Sequence, residues 1–356
     1  MSGDDAACGL KQEDVMQQKQ RLPARKSKVT VRDIALRAGV GESTVSRIMR
    51  NKGPVAEETR RRVMEAVRAT GYVPNRIAGS LASLDSHLVG VVVPSLSNIV
   101  FPEVLQGVHA ALRASDYQPV ISMTGYDIDL EETIVRGLLS WKPAAILIAG
   151  FDHTPATQRM LSESGIRIVE MMDIDSTPID IAVGMSHRRA GYATGQYLIE
   201  RGYRQFGYVG HDWDADRRAR LRYDGICDAL RDAGLRISAH AIADAPSSVG
   251  VGREMTARLF AEPVKLDVII YSNDDMAVGG VFQCLGAGVR MPDDLAIFGF
   301  NGLDIGRELP QPLATVRSNR FLIGRTSVEK AFETPERPQT KTIVDTGFEI
   351  FPGATA

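Results

Sequence analysis

A chain of 356 residues is long enough for two or three domains, and 44% apolar with 6% aromatic residues is ordinary for a folded protein. Its three cysteines, Cys8, Cys227 and Cys284, are odd in number and far apart without metal-ligand spacing, which argues against a disulfide framework and for a reducing compartment. The net charge of −2 hides an asymmetry, because residues 19–76 carry +10 and the remainder −12, and a basic module on an acidic body is the footprint of nucleic-acid binding.

Residues 1–27 lack hydrophobic periodicity and are expected to form a disordered tail. They open acidic and Gln-rich without an apolar core, so they do not read as a signal peptide, and no run of about 18 apolar residues predicts a membrane span. Arg21, Arg25, Lys26 and Lys28 offer either non-specific attraction to phosphate or only solvated charge.

In Val29–Val55, Ile34, Ala35 and Ala38 make an apolar face at helical spacing, Gly39 breaks that helix, and Val40 tucks behind it. Thr30 with Asp33 makes an N-cap, a capping box with Asp in place of Glu. A second helix from Glu42 to Arg50 buries Val45, Ile48 and Met49. Two short helices about a Gly bend form a helix-turn-helix, or else a plain helical hairpin with a solvated charged face. The basic charge favours the first. Glu42, Ser43, Thr44, Ser46 and Arg47 then lie outward, where hydroxyls and a guanidinium reach phosphates and base edges. Glu57–Thr70 predicts a third helix with Val63, Ala66 and Val67 inward, Arg60–Arg62 outward and Gly71 as its stop.

Tyr72–Ser83, YVPNRIAGSLAS, follows; Asn75–Ala82 spans two helical turns, too short to be stable alone in water. From Leu88 the pattern changes. Apolar runs at 88–93, 119–123, 144–150, 166–172, 179–184, 206–210, 266–272, 295–300 and 342–351 alternate with helical segments such as Pro102–Ser115, Leu130–Ser140, Ala190–Arg201, Arg220–Ala233 and Met276–Leu285. Buried strands alternating with helices predict doubly wound parallel sheets, and this many strands predict two α/β lobes with a ligand cleft between them.

Other motifs carry less. Gly250-Val251-Gly252 is a fragment of a dinucleotide fingerprint and is expected to be a loop turn. Asp212, Asp214 and Asp216 alternate like calcium ligands but lack the Gly and distal Glu, so a solvated loop is expected. The six histidines show no zinc spacing, and His187 either contacts a ligand or caps the helix after it. No G-x-S-x-G provides a nucleophile elbow. No metal, cofactor or catalytic centre is therefore expected, and the chain does not read as an enzyme.

The order of basic helix-turn-helix, PNRIAGSLAS segment and two-lobed body resembles the lactose-repressor (LacI/GalR) family of bacterial transcription regulators, from about Val29 to Phe351. The resemblance is carried by VTVRDIALRAGVGESTVSRIM, GYVPNRIAGSLAS, SNDDMAVGG, PDDLAIFGFN and LPQPLATV. Within the family, PSLSNIVFPEVLQGV, LLSWKPAAILI, VEMMD with DIAVG, and TGFEIFPG look most like the gluconate-utilisation repressors.

The resemblance implies a small all-α headpiece at 28–73, a hinge at 74–84, and a periplasmic-binding-protein-like effector domain at 85–356. Its N-lobe would comprise 87–184 and 318–341, and its C-lobe 185–317 and 342–356. Thr30, Glu42, Ser43, Thr44, Ser46 and Arg47 match DNA-contacting positions; Asn75, Arg76 and Ala78 match the hinge helix, and Leu81 the leucine wedged between base pairs. Gly41 and Ala56 stand where relatives often cap helices with Ser. Asn98, Phe101, Asp173, Arg222, Asn273, Asp274, Asn301, Ser318 and Arg320 match effector-facing positions, with Arg222 as the clamp for effector oxygens. Asn301 replaces the aspartate usual in GYDD, which leaves Arg222 and Arg320 to face an anion and favours a carboxylate such as gluconate; the alternative is that Arg320 pairs with an acidic neighbour and the effector is neutral.

These features imply a homodimeric, cytoplasmic, nucleoid-associated repressor on double-stranded operator DNA. No leucine heptads follow Phe351, which suggests a dimer rather than a tetramer. A periplasmic sugar-binding protein leaves the basic head unexplained, and a sugar-acid enzyme lacks a catalytic base or phosphate loop.

Overall fold

A computed structural model describes residues 29–49, 53–73, 86–96, 100–213, 216–334, 337 and 340–356. The tail, the hinge positions Asn75, Arg76, Ala78 and Leu81, and Asn98 lie outside the described residues. The chain divides into one unit ending at Ala82 and a second running from Ser83 to Ala356.

The first unit holds α1 (Val31–Ala38), α2 (Glu42–Met49) and α3 (Glu57–Thr70). Thr30 and Asp33 close the capping box: the Asp33 N–H donates to Thr30 Oγ1 at 3.4 Å and the Thr30 N–H to Asp33 Oδ2 at 2.8 Å. Gly39 ends α1 at φ 64°, in the left-handed region that glycine adopts without penalty. Ile34, Ala35, Ala38, Val45, Ile48, Val63 and Ala66 are buried together, and Val40, Met49 and Val67 pack against them. Ala56 begins α3 with no side-chain cap.

The second unit contains two six-stranded sheets. The first takes β1 (Leu88–Val93), β2 (Gln118–Met123), β3 (Ala145–Ala149), β4 (Arg167–Asp173), β5 (Ile181–Met185) and β11 (Thr342–Asp345), in the order β2-β1-β3-β4-β5-β11. The second takes β6 (Phe206–His211), β7 (Ile237–Ala243), β8 (Val268–Tyr271), β9 (Ala296–Phe300), β10 (Ala314–Ser318) and β12 (Phe348–Phe351), in the order β7-β6-β8-β9-β10-β12. All pairs are parallel except β10 with β12.

Helices cover both faces. In the first lobe, α4 (Val100–Leu112) and α12 (Arg320–Glu333) share a core with Val89, Val91 and Val93, whereas α5 (Ile128–Ser140) and α6 (Pro155–Glu163) pack over Val92 on the other face. Alternate valines of one strand therefore serve opposite faces, and so β1 reads as one unbroken apolar run. In the second lobe α7 (His187–Glu200) and α8 (Arg217–Asp232) lie on one face, and α9 (Val249–Phe260) and α10 (Asp274–Ala287) on the other; α11 (Asp304–Arg307) is a single turn.

Three expectations are corrected. The stretch 342–351 is two strands: β11 pairs with β5 in the first sheet, β12 with β10 in the second, and Gly347 at φ 70° turns the chain between them. Residues 342–345 thus belong to the first lobe, against the expected C-lobe boundary. The chain consequently passes between lobes at Met185–His187, Ser318–Arg320 and Asp345–Phe348. β7 and β10 had no counterpart among the expected runs. Lastly, Gly250-Val251-Gly252 opens α9 rather than making a loop turn; a Cβ on Gly252 would lie 2.2 Å from the Met276 carbonyl, so glycine there permits α9 and α10 to touch.

Candidate functional site

On α2 of the first unit, Glu42, Ser43 and Arg47 are exposed, and Thr44 and Ser46 are half-buried beside Val45 and Ile48. The apolar spacing that anchors α2 turns these polar positions outward. Thr30 is exposed too, but its hydroxyl is engaged with Asp33.

In the second unit each sheet reverses its strand order beside its first strand, between β1 and β3 and between β6 and β8. Loops leaving such a switch point diverge and open a crevice. A cavity of about 70 Å³ lies where the two crevices face each other, with Thr124, Gly150, Asp152 and Asp173 from the first lobe and Asp216, Arg217 and Arg218 from the second on its wall. That is well below the roughly 300 Å³ of an ordinary ligand pocket, so the cleft is nearly closed.

Arginines and carboxylates hold the cleft shut. Arg217 Nη2 donates to Ser176 Oγ at 3.0 Å, with Nη1 3.8 Å from Asp173 Oδ2 and Nε 3.7 Å from Asp152 Oδ1. Burial pushes Asp173 up to about 6; the Asp175 N–H, Arg217 and Arg218 oppose that shift without cancelling it. Arg218 stands 5.7 Å over the Phe101 ring of the other lobe and 3.9 Å from Asp216.

Asp216 corrects the expectation of a solvated loop. Its carboxylate caps α8 by accepting from the Ala219 N–H at 3.0 Å. Burial pushes its pKa up, but Arg222, Arg218 and His211 outweigh burial and hold it well below the usual carboxylate range. Asp212 keeps a place in the loop at φ 23°, and Asp214 lies outside the described residues.

Of the expected effector residues that are described, Asp173 alone lines this cavity. Arg222 lies one turn behind Arg218, buried, with Nη1 3.1 Å from His187 Nδ1, Nη2 donating to the Ser272 carbonyl at 2.9 Å, and its plane 4.0 Å over the Phe300 ring. Phe101 is buried on α4, and Ser318 is buried at the end of β10. Asn273 is the N-cap of α10, accepting from the Met276 N–H at 3.1 Å. Asp274, expected to face the effector, is instead fully buried beneath the site. It accepts from the Leu303 N–H and from Thr315 Oγ1, each at 2.7 Å, and burial pushes its pKa up to about 6.

Arg320 also departs from expectation. Its Nη2 donates to Glu103 Oε1 at 2.7 Å and its Nη1 to the Asn301 carbonyl, with Asn301 at φ 125°. It pairs with an acidic neighbour, as the alternative reading held. His187 caps nothing, because the N-cap of α7 is Ser186, which accepts from the Arg189 N–H. Arg217 and Arg218 were missed altogether. Their signal was the RRARLR run at the start of a helix that follows a strand.

A second buried cluster supports the wall. His153 Nδ1 lies 2.7 Å from Glu131 Oε1, and Nε2 3.6 Å from Glu170 Oε1, all three side chains being nearly inaccessible. Burial pushes the imidazole pKa down, but the two carboxylates outweigh it and raise it to about 9. The histidine is thus a buried cation that anchors the loop carrying Asp152. Among the described residues no group of His, Cys, Asp and Glu side chains is arranged to hold a metal ion, and no helix is long and apolar enough to cross a membrane.

Two family models match the chain: bacterial regulatory proteins, lacI family, over residues 30–75, and periplasmic binding proteins and sugar binding domain of LacI family over residues 86–346. The chain is 38% identical over 328 residues to the HTH-type transcriptional regulator GntR of Pseudomonas aeruginosa, spanning 90% of this chain and 94% of the relative. To the regulator of the same name from Escherichia coli K12 it is 34% identical over 332 residues, spanning 93% and 99%. The crystal structure of a LacI-family transcriptional regulator from Silicibacter pomeroyi superposes with a TM-score of 0.86 at 41% identity, over 92% of this chain and 99% of its own.

Proposed function

The chain belongs to the lacI family of bacterial regulatory proteins, DNA-binding regulators of transcription, and from that premise we propose that it represses a sugar-acid utilisation operon and is released from its operator by an effector such as gluconate or a keto-gluconate. The observation that carries the acid over a neutral sugar is Arg218. It is on the cavity wall, 3.9 Å from Asp216 and without a hydrogen bond to any described residue, so its guanidinium keeps N–H donors for an entering carboxylate. Asp127 on the same wall caps α5 and Glu131 holds His153, so part of the wall's negative charge is offset by helix N–H groups and by the imidazole. Asp152 and Asp173, released from Arg217 as the cleft opens, accept hydrogen bonds from sugar hydroxyls. Arg222 supplies a second cation behind Arg218.

In this reading Thr30, Glu42, Ser43, Thr44, Ser46 and Arg47 contact operator DNA, and Asn75, Arg76, Ala78 and Leu81 act in the minor groove. The protein works in the cytoplasm as a homodimer that brings two heads to a pseudo-palindrome. Effector binding moves the lobes and weakens the operator complex, for which a coupling of ~1–3 kcal/mol suffices.

The test is calorimetric titration with gluconate, 2-keto- and 5-keto-gluconate, 6-phosphogluconate and glucose. Binding of an acid but not glucose, lost in Arg218→Gln and Arg222→Ala, supports the reading. Binding of glucose alone overturns the acid and leaves the regulator. That second outcome has one observation in its favour, the Arg320–Glu103 pair, which neutralises a cation expected to face the effector.

A further inference from the structure

His187, the first residue of α7, is buried where the chain first passes between lobes. Its Nε2 lies 3.1 Å from the Met172 carbonyl at the end of β4, in the other lobe, and its Nδ1 lies 3.1 Å from Arg222 Nη1. A carbonyl oxygen can only accept, so Nε2 carries the proton; a neutral imidazole has one N–H, so Nδ1 presents its lone pair to the Arg222 N–H. Both contacts therefore require the neutral ring in one tautomer. Burial, then the charges of Arg222 and Arg218, disfavour the imidazolium, against which Asp216 is the opposing charge.

The two ends of this chain of hydrogen bonds are themselves fixed. Met172 sits at φ 82°, outside ordinary strand geometry, beside Gly184, where a Cβ would lie 2.4 Å from the Met172 carbonyl carbon. Helices α7 and α8 touch at Gly191, where a Cβ would lie 1.9 Å from the Arg222 carbonyl, so His187 and Arg222 move as one body.

We propose that His187 is a positioning residue that couples Arg222 to the opposite lobe. With the cleft shut it holds the guanidinium through Nδ1 and reads the Met172 carbonyl through Nε2–H. When the lobes part, the Met172 contact is lost, the ring is free to turn, and Arg222 loses a fixed partner. Orientation of the clamp and separation of the lobes are then a single event. This rests on the reading of Arg222 as the cation that backs Arg218 in the effector site.

The experiment has two arms on the full-length chain. In the first, without ligand, the His187 ring nitrogens are followed by NMR from about pH 5 to 8, assigned with His187→Gln. The expected result is an Nε2–H ring in the parent that protonates at higher pH in Arg222→Gln; an Nδ1–H ring, or an unchanged titration, overturns the proposal. In the second, gluconate affinity and operator affinity are measured for His187→Leu and His187→Gln. His187→Leu should weaken gluconate about tenfold and compress the gluconate-dependent change in operator affinity. His187→Gln, able to donate and accept, should recover most of both. A leucine variant that responds like the parent overturns the coupling. If the parent binds no sugar acid while the ring titrates as expected, the effector reading fails and the His187 link stands.

Discussion

Arg217 and Asp173 meet across the cleft with 3.8 Å between Nη1 and Oδ2, and they are unequal partners: the arginine side chain is 35% exposed, the aspartate 1%. The carboxylate cannot follow the solvent, whereas the guanidinium can swing away on a flexible stem. Opening the lobes therefore separates a buried carboxylate on the N-lobe from a solvated cation on the other, and in the proposed reading Asp173 then accepts from the effector.

That inequality has a pH signature. Burial places the folded pKa of Asp173 at about 6, above the unfolded value near 3.9. Stability from this group is thus fully present below about pH 4 and is lost as pH rises through about 6. Asp173→Asn should be more stable than the parent at pH 8, by on the order of 1–3 kcal/mol, and should flatten part of the decline between about pH 4 and 7. Calorimetric Tm values across that range check this, and a variant that keeps the parent's full slope would show that the group does not titrate buried.

His153 acts with the opposite chemistry. Its folded pKa of about 9 exceeds the unfolded value near 6.5, so its contribution is complete below about pH 6 and lost as pH rises through about 9. His153→Leu leaves Glu131 and Glu170 buried without their cation, and a loss of roughly 3–5 kcal/mol is expected in urea unfolding at neutral pH. A loss below about 1 kcal/mol would mean that the pair is not an ionic one.

Asp274 is expected to act on stability rather than on recognition. Asp274→Ala leaves the Leu303 N–H unpaired and takes from the Thr315 hydroxyl its shortest acceptor in the core beneath the site, at a cost of about 1–3 kcal/mol in denaturant unfolding. The folded fraction should bind effector with the parent's affinity; a change in affinity without a change in stability would return Asp274 to the binding surface.

In the first unit, Ala56 leads into α3 at φ −57° and ψ 136°, an extended conformation that suits an N-cap but offers no side-chain acceptor. Ala56→Ser should stabilise this unit by ~1 kcal/mol in thermal unfolding and leave operator affinity unchanged. A neutral or destabilising serine would mean that the α3 N–H groups already have partners.

Much of this was legible because it is local. The Thr30–Asp33 box, the Gly39 and Gly71 stops and the unbroken valines of β1 are written in neighbouring residues. What failed depends on tertiary position. Ile237–Ala243 is a half-exposed edge strand with little apolar signal, and β10 reads ATVRS with Arg317 exposed. The division of 342–351 is set by which sheet edge each half meets. Arg218 and Arg222 stand four residues apart on one helix face, and spacing cannot tell which of them is deeper. The contact at Gly191, between the successive helices on either side of β6, decides that Arg222 is buried.

The strands that complete the two sheets, β11 and β12, are also the latest strands in chain order and the outermost in each sheet. A nascent chain released up to about Lys341 holds both sheets with one ladder of N–H and C=O groups bare, at β5 and at β10. Such edges are templates for pairing with other chains. The two lobes, although separate cores, therefore cover the buried strands β5 and β10 with half-exposed edge strands almost together, within a few residues of translation. A stop or frameshift inside that short stretch would leave the apolar strands β5 and β10 as sheet edges at once, both open to pairing with another chain.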